Sequence, residues 1–329
     1  MTLPRSHARN HYTRALRTRI MRLKYGVVTA TLNARETVLD AVRSVLGQSC
    51  APAEYVVIDG GSTDGTREVV EAEFARAAGA GCATRLEILR QRASGIAHAW
   101  NEAIAGLSAD VVFLVNADDW LEDGAAERVL AAFESDPGID LVHGHARFHH
   151  RDGSCLGVLA PCWVNRLGVQ CRTLHCSTVV RRRVYEELGG FDPRFRTTLD
   201  YDFLERCWRR GKRFHALDEV LANFRLGGIS NTFRSQADLE TLRVGLAHSR
   251  TKVLPLAAFL LRRLVLRPTG IAGFDLWTRR AQAPAPLPVP MPARPVELVA
   301  EPKSGRGLHA PSARDSAARP AELDAAEVS

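Results

Sequence analysis

An α/β fold built on a mostly parallel sheet is what this 329-residue sequence predicts, and three observations predict it. Short runs rich in Val and Ile alternate with helical patterns from residue 25 to about 145, the signature of βαβ units. The run VVFLV at 111–115 is apolar throughout, as a strand covered on both faces must be. Polar segments follow three of the strands: Thr31-Leu32-Asn33, DGGSTDGT at 59–66, and Asn116-Ala117-Asp118-Asp119. In open α/β sheets ligands sit beyond the carboxyl ends of the strands, so these three segments are expected to converge on one edge.

The elements read in order. Tyr25–Ala30 is the first strand and 35–47 a helix; Glu54–Ile58 is the second strand and 66–78 a helix. Leu86–Leu89 makes a short strand, 95–106 a helix, Asp110–Val115 a buried strand, and 123–133 another helix. Beyond Leu141 the pattern loosens into a mixed-sheet half. Short strands lie around 141–158, a loop runs through Pro161 and Trp163, and a strand at Ser177–Val180 precedes helices at 181–188 and 200–210. Val220–Arg225 is the last strand before LGGIS, closing a domain over 25–230.

A helical segment is expected over 231–280. Within it TKVLPLAAFLLRRLVLR (251–267) is cut by Pro255, Arg262 and Arg263. It falls short of the ~18 to 20 residues a bilayer span requires. Two readings stay open: a helix lying on a membrane interface, or one packed on the domain's own surface. From 281 onward APAPLPVPMPARP and the small, charged residues after it cannot form a core, so 281–329 reads as a disordered tail.

The net charge of +7 is concentrated at one end. Arg5, Arg9, Arg14, Arg17, Arg19, Arg22 and Lys24 face no acidic residue within 1–24, so residues 25–329 sum to about zero. Such an arm would suit anionic lipid or nucleic acid, and an over-long gene start would produce the same arm. The balanced remainder gives no reason to expect a specific nucleic-acid partner. The seven cysteines follow no secretory signal and contain no CxxC pair. Cys155, Cys162, Cys171 and Cys176 with His175 fit no common zinc spacing, and free thiols in a reducing cytoplasm are expected instead.

Asp118 and Asp119 end a hydrophobic strand side by side. Adjacent carboxylates repel, and a divalent cation with a taste for hard oxygen ligands, Mg2+ or Mn2+, relieves that repulsion. Such an ion would bridge a diphosphate and improve it as a leaving group. Taken alone, DD is more often a helix cap, and DGGSTDGT more often a connector. No GxGxxG follows the first strand and no GK[ST] appears, so hydride transfer and ordinary NTP hydrolysis lose support.

As an ordered set, VVTATLNA, VVIDGGSTDGT, RASGIAHAWNEAI, FLVNADDW and GGFDPRFRTTLDYDFLERC resemble an inverting family 2 glycosyltransferase over residues 25–230. The resemblance implies a GT-A fold, Rossmann-like with a mixed, mostly parallel sheet flanked by helices. It also implies hexosyl transfer from a nucleoside-diphosphate sugar to an acceptor hydroxyl, with a divalent metal. On the matching positions, Thr31 and Asn33 line the nucleotide pocket and Asp59 contacts the base. Leu32 stands where family members usually carry Tyr or Phe.

Ser94, Gly95 and Asn101 fall in the segment near ribose and diphosphate, and Arg92 is either a phosphate contact or a solvated surface charge. Asp119 matches the direct metal ligand, and Asp118 the residue of ribose or water-mediated contact. Asp200 matches the general base of a segment usually written ED-x-D, with Leu199 in place of the glutamate and Asp202 in reserve. Both aspartates would equally cap a helix. His175 resembles a position shaping the acceptor pocket or diphosphate side, or is a buried structural histidine. The resemblance also implies that Arg225 and the glycine pair after it approach the diphosphate.

The closing VLANFRLGGIS resembles a subgroup associated with bacterial surface polysaccharides and glycolipids. The implied acceptor is a glycan or lipid-linked sugar, used in the cytoplasm or peripherally on the inner face of the membrane. Two other classes compete. A sugar-nucleotide nucleotidyltransferase should open with GGxGxR where this chain has ATLNARE. A non-catalytic member of the fold would bind nucleotide sugar without turnover.

Overall fold

The computed structural model describes residues 23–160, 174–227, 234–249, 251–261, 263 and 264. The arm up to residue 22, the loop through Pro161 and Trp163 with Cys162 and Cys171, most of LGGIS, and the tail from 281 lie outside the described residues. Strands β1 (Tyr25–Thr31), β2 (Glu54–Asp59), β3 (Arg85–Arg90) and β4 (Val111–Leu114) alternate with helices α1 (Val38–Leu46), α2 (Thr66–Gly79) and α3 (Ile96–Ala105). Then come β5 (Trp120–Leu121), α4 (Ala125–Ser135), β6 (Leu141–His149) and β7 (Cys155–Leu159). A 3-10 turn at His175–Ser177 leads into β8 (Thr178–Arg181), α5 (Arg182–Leu188), α6 (Leu199–Arg209), β9 (Phe214–Arg225), α7 (Arg234–His248) and α8 (Val253–Leu261).

These strands form one sheet in the order β3-β2-β1-β4-β8-β6-β9-β5, with β7 paired to β6. The half made of β3, β2, β1 and β4 is parallel. It turns mixed where β8 runs antiparallel to both β4 and β6. The central strands are buried on both faces because their apolar residues alternate between two cores. Val27, Tyr55, Val57, Val111 and Phe113 face α1, α2 and α4. Val28, Val56, Ile58, Val112 and Leu114 face α3, α5, α6 and Val244 of α7. Through Val244, α7 shares the core of the preceding domain.

Three boundaries differ from those expected, each for a physical reason. The first helix begins at Val38 rather than 35, because residues 33–35 are held by the neighbouring loop. Asn33 N–H donates to Ser62 Oγ at 2.9 Å, Ala34 N–H to Thr66 Oγ1 at 2.8 Å, and Arg35 N–H to Asp64 Oδ2 at 3.1 Å. The last strand runs from Phe214 rather than Val220, its first residues pairing in parallel with Leu141–His143 of β6. Strand β5 was not expected; two residues pair with Asn223 and Ala222 of β9 and tie the end of the Asp118-Asp119 turn to the far edge of the sheet.

Among the described residues Cys50, Cys82, Cys155, Cys176 and Cys207 are free thiols; Cys176 and Cys207 are buried and Cys155 is exposed. Among the described residues no group of three His, Cys, Asp or Glu forms a metal cage of its own, and no helix there is long and apolar enough to cross a membrane.

His143 of β6 is 4% exposed. Burial, with His215 and His145 nearby, lowers it from 6.5 to about 4. Between those values the unfolded chain holds the extra proton, so stability is full above pH 6.5 and is lost as pH falls toward 4. A shift of this size corresponds to roughly 3–4 kcal/mol over the full titration, of which roughly 2–3 kcal/mol falls between pH 7 and pH 4.5. Urea unfolding at pH 7 and pH 4.5 should therefore show a drop in the wild type that exceeds the drop in His143→Leu by about that amount.

Candidate active site

The three polar segments do converge at the carboxyl edge of the parallel strands. Thr31 at the end of β1 pairs in register with Asp59 at the end of β2. Beside them, β4 runs through Val115, whose N–H donates to Val28 O at 3.0 Å, into the turn that carries Asn116 to Asp119. The first two segments are stitched into one wall. Asn33, at φ +50°, accepts the Thr63 N–H at 2.9 Å through its side chain. Asp59 is buried and accepts the N–H groups of Gly61 at 3.1 Å and Ser62 at 3.1 Å, and the Ser62 hydroxyl at 2.5 Å. Its carboxylate therefore shapes the DGGS turn. The Thr31 hydroxyl is buried without a hydrogen-bond partner, and Leu32 projects outward, 59% exposed.

Asp118 and Asp119 occupy the turn after β4. Burial and the charge of Asp119 push Asp118 up to about 6. Asp119 is 1% exposed, and burial pushes it up as well. Asp119 Oδ1 accepts the Arg225 N–H at 3.2 Å, while Oδ2 is buried with no hydrogen-bond donor. Two repelling carboxylates, one with an oxygen left bare, fit a divalent cation whose remaining ligands are diphosphate and water oxygens.

His175, in the 3-10 turn before β8, stands between this pair and α6. Its Nε2 is 3.6 Å from Asp119 Oδ2 and its Nδ1 is 3.6 Å from Asp200 Oδ2. Burial disfavours the imidazolium, but the two carboxylates outweigh it and raise His175 to about 9. Asn116 Nδ2 lies 2.7 Å from His175 Nε2. The imidazole rests on Trp100, ring centroids 5.0 Å apart, which in turn packs on Phe191.

The two aspartates of α6 are in different situations. Asp202 is buried and holds Arg206 at 2.8 Å and His248 at 3.1 Å. Asp200 faces His175, accepts the Tyr201 N–H at 2.8 Å, and keeps a side chain 22% exposed. Arg225 reaches Asp119 from β9. Its guanidinium bonds Asp40 of α1 at 2.7 Å and stacks on Trp120, 4.9 Å from the ring centroid.

Other expected site residues sit apart from this cluster. Asn101 donates to Phe191 O at 2.7 Å and accepts the Phe191 N–H at 2.8 Å, locking α3 to the loop before α6. Gly190, at φ +68°, leaves room for it, since a Cβ there would lie 2.4 Å from Asn101 Oδ1. Arg92, 87% exposed, pairs with Glu102 at 3.0 Å. Ser94 and Gly95 are exposed at the amino end of α3, Gly95 at φ +103°. Sequence reasoning missed Asp40, Trp120 and Trp100. Trp120 was visible as the residue after the paired aspartates, whereas nothing local marks Asp40.

Residues 26–153 match the model of glycosyl transferase family 2. That stretch is a family 2 glycosyltransferase domain. The chain is 28% identical over 222 residues to a PGL/p-HBAD biosynthesis glycosyltransferase of Mycobacterium tuberculosis, covering 66% of this chain and 83% of that protein. It is 25% identical to chondroitin synthase of Pasteurella multocida over 62% of this chain, but only 20% of that longer protein.

The fold is that of GT-A enzymes. S. aureus TarS 1–349 in complex with UDP-GlcNAc superposes with a TM-score of 0.54 at 17% identity, over 77% of this chain and 76% of that one. The mannosyltransferase PcManGT from Pyrobaculum calidifontis, in complex with GDP-Man and Mn2+, gives 0.54 at 18% identity, over 76% and 72%.

The different partners of the two α6 aspartates predict different losses. Asp202→Ala strands Arg206 and His248 and should cost roughly 2–3 kcal/mol, allowing for the part-exposed arginine. Asp200→Ala should change urea stability by well under half of that.

Proposed function

We propose that this glycosyltransferase moves a hexosyl group from a nucleoside-diphosphate sugar to a hydroxyl of a glycan or lipid-linked acceptor, with inversion, in the synthesis of a cell-surface polysaccharide or glycolipid. The observation that carries the reading is the line Asp119–His175–Asp200, which brings the paired carboxylates after β4 within one imidazole of the accessible carboxylate of α6. The glycolipid direction is supported by the likeness to the mycobacterial enzyme.

In this reading Thr31, with its unpartnered hydroxyl, meets the nucleotide in a wall framed by Asn33 and Asp59. The amino end of α3 at Ser94 and Gly95 offers free N–H groups toward phosphate. Arg92 has only to release Glu102 to join them, and Asn101 keeps α3 in place. Asp118 and Asp119 would hold Mg2+ or Mn2+, which offsets charge on the departing diphosphate. Asp200 takes the proton of the acceptor hydroxyl as its oxygen bonds the anomeric carbon and the bond from that carbon to the diphosphate oxygen breaks. His175 stays charged between Asp119 and Asp200 and holds Asp200 in its rotamer. Arg225 keeps a cationic wall beside Asp119, steadied by Asp40 and Trp120.

Purified protein with Mn2+ and a panel of UDP, GDP and dTDP sugars should release nucleotide with one of them. Release should vanish in Asp119→Ala and fall by about 10²- to 10⁴-fold in Asp200→Asn, the usual weight of a general base. Failure to bind any donor would sink the proposal; binding without release in the presence of acceptor extracts would favour a non-catalytic member of the fold.

We propose further that the enzyme works at the inner surface of a membrane, with α8 in the interface. Val253, Leu254, Leu256, Leu260 and Leu261 are all exposed on α8, and Lys252 precedes them, the pairing of apolar and cationic groups that suits anionic lipid. The protein should co-sediment with vesicles containing phosphatidylglycerol. Leu254→Glu with Leu261→Glu should abolish that without changing nucleotide release from a soluble acceptor.

A further inference from the structure

We infer that Glu240 on α7 is a positioning residue for Asp200: from a separate helix, its buried carboxylate holds the three residues that lead into α6, through the N-cap, and so fixes the carboxylate on the first turn of α6. The inference rests on the reading of Asp200 as the base.

A helix leaves its first N–H groups without intrahelical partners, and a side chain at the N-cap usually answers them. In α6 the N-cap is Thr198, and its side chain makes no capping bond. Glu240 instead grips the residues that lead into the helix, as far as the N-cap itself. Its Oε2 accepts the N–H groups of Arg196 at 3.1 Å, Thr197 at 2.8 Å and Thr198 at 3.2 Å. The same oxygen accepts the hydroxyls of Thr197 at 2.8 Å and Thr198 at 3.3 Å. Oε1 is held by Gln236, one turn earlier on α7, at 2.7 Å.

Glu240 is only 2% exposed. Burial works against its charged form, yet the bonds from Thr197, Gln236 and Arg196 keep its carboxyl below the usual range. A carboxylate at this end of a helix also complements the helix dipole. Glu240 faces neither solvent nor the pocket, so it acts through α6 and not on substrate.

Its position gives the grip its consequence. Thr198 is two residues from Asp200, and a second grip from α7, His248 on Asp202 at 3.1 Å, lies just beyond. Upstream, Arg206 donates to Leu188 O at 2.8 Å and Gly190 O at 2.6 Å, and Asn101 holds Phe191. The chain that delivers Asp200 is thus pinned before and after the turn, and the pin at the turn itself comes from α7, beyond the residues 26–153 that match the family model.

The test is a pair of variants in two backgrounds. Glu240→Gln keeps the shape but removes the charged acceptor. It should lower kcat by about 10²-fold, the scale of a small misplacement of a reacting group, while the KM for donor stays within twofold. Combined with Asp200→Asn it should cause no further loss, because the effect travels through Asp200. Thr197→Val, which deletes one donor to Glu240, should show a smaller loss with the same dependence on Asp200.

Amide hydrogen exchange gives a readout independent of turnover: 196–204 should exchange faster in Glu240→Gln and β2 should not. Unchanged kcat and exchange in a folded Glu240→Gln would overturn the inference, as would equal losses with Asp200 present and absent. An Asp200→Asn enzyme as active as the wild type would instead remove the base assignment, whatever Glu240 does to exchange.

Discussion

Asp118 and Asp119 leave β4 side by side in a place that shields them from water, and much around them reads as a response to that repulsion. The cost of burying one unpaired carboxylate is several kcal/mol, and two in contact cost more. The fold answers with positive groups from distant parts of the chain: the His175 ring before β8, and the Arg225 backbone N–H with its guanidinium on β9. These do not complete the compensation, since Asp118 is still pushed up to about 6 and one oxygen of Asp119 has no donor. What remains is a standing affinity for cationic charge at the sheet's carboxyl edge, where the proposed reaction would draw on it to offset a departing diphosphate.

The second half of the molecule serves to bring one more carboxylate to that edge without adding to the repulsion. Asp200 enters on the far side of a charged imidazole, so His175 screens it from Asp119 while setting their spacing. Aromatic packing from Trp100 through Phe191 to Phe203 and Tyr185 backs this arrangement with a rigid wall. The loop before α6 is tied down by Asn101, Arg206 and Glu240, so the carboxylate sits on a turn with little freedom to lose when substrate binds. Asp202, two residues away, is consumed by that bracing and takes no part in the pocket.

Much of this was legible in the sequence. The βαβ rhythm, the doubly buried VVFLV strand and the polar strand ends follow from local periodicity, and their convergence follows from the rule that parallel strands present their carboxyl ends together. The choice between Asp200 and Asp202 was not legible. Both fit the first turn of α6, and only their partners, His175 for one and Arg206 with His248 for the other, separate them. Asn101 and Arg92 carried motif positions yet meet Phe191 and Glu102, because a motif marks where a residue lies and not what it touches. Asp40 and Glu240 gave no local signal, since each acts on residues remote in sequence.

By itself the sequence determined the class of fold, the order of its elements within a few residues, and the edge at which chemistry-bearing groups gather, all of which depend on near neighbours and a regular period. Only the tertiary structure decided which carboxylates are free, which are engaged in bracing, and that a glutamate on α7 holds the turn bearing Asp200. The physical reason is that hydrogen bonds and charge compensation act over about 3 Å in space. Of the pairs that supply them here, Arg206 with Asp202 is local, but His175 and Asp200 lie 25 positions apart and Arg225 and Asp40 lie 185 apart.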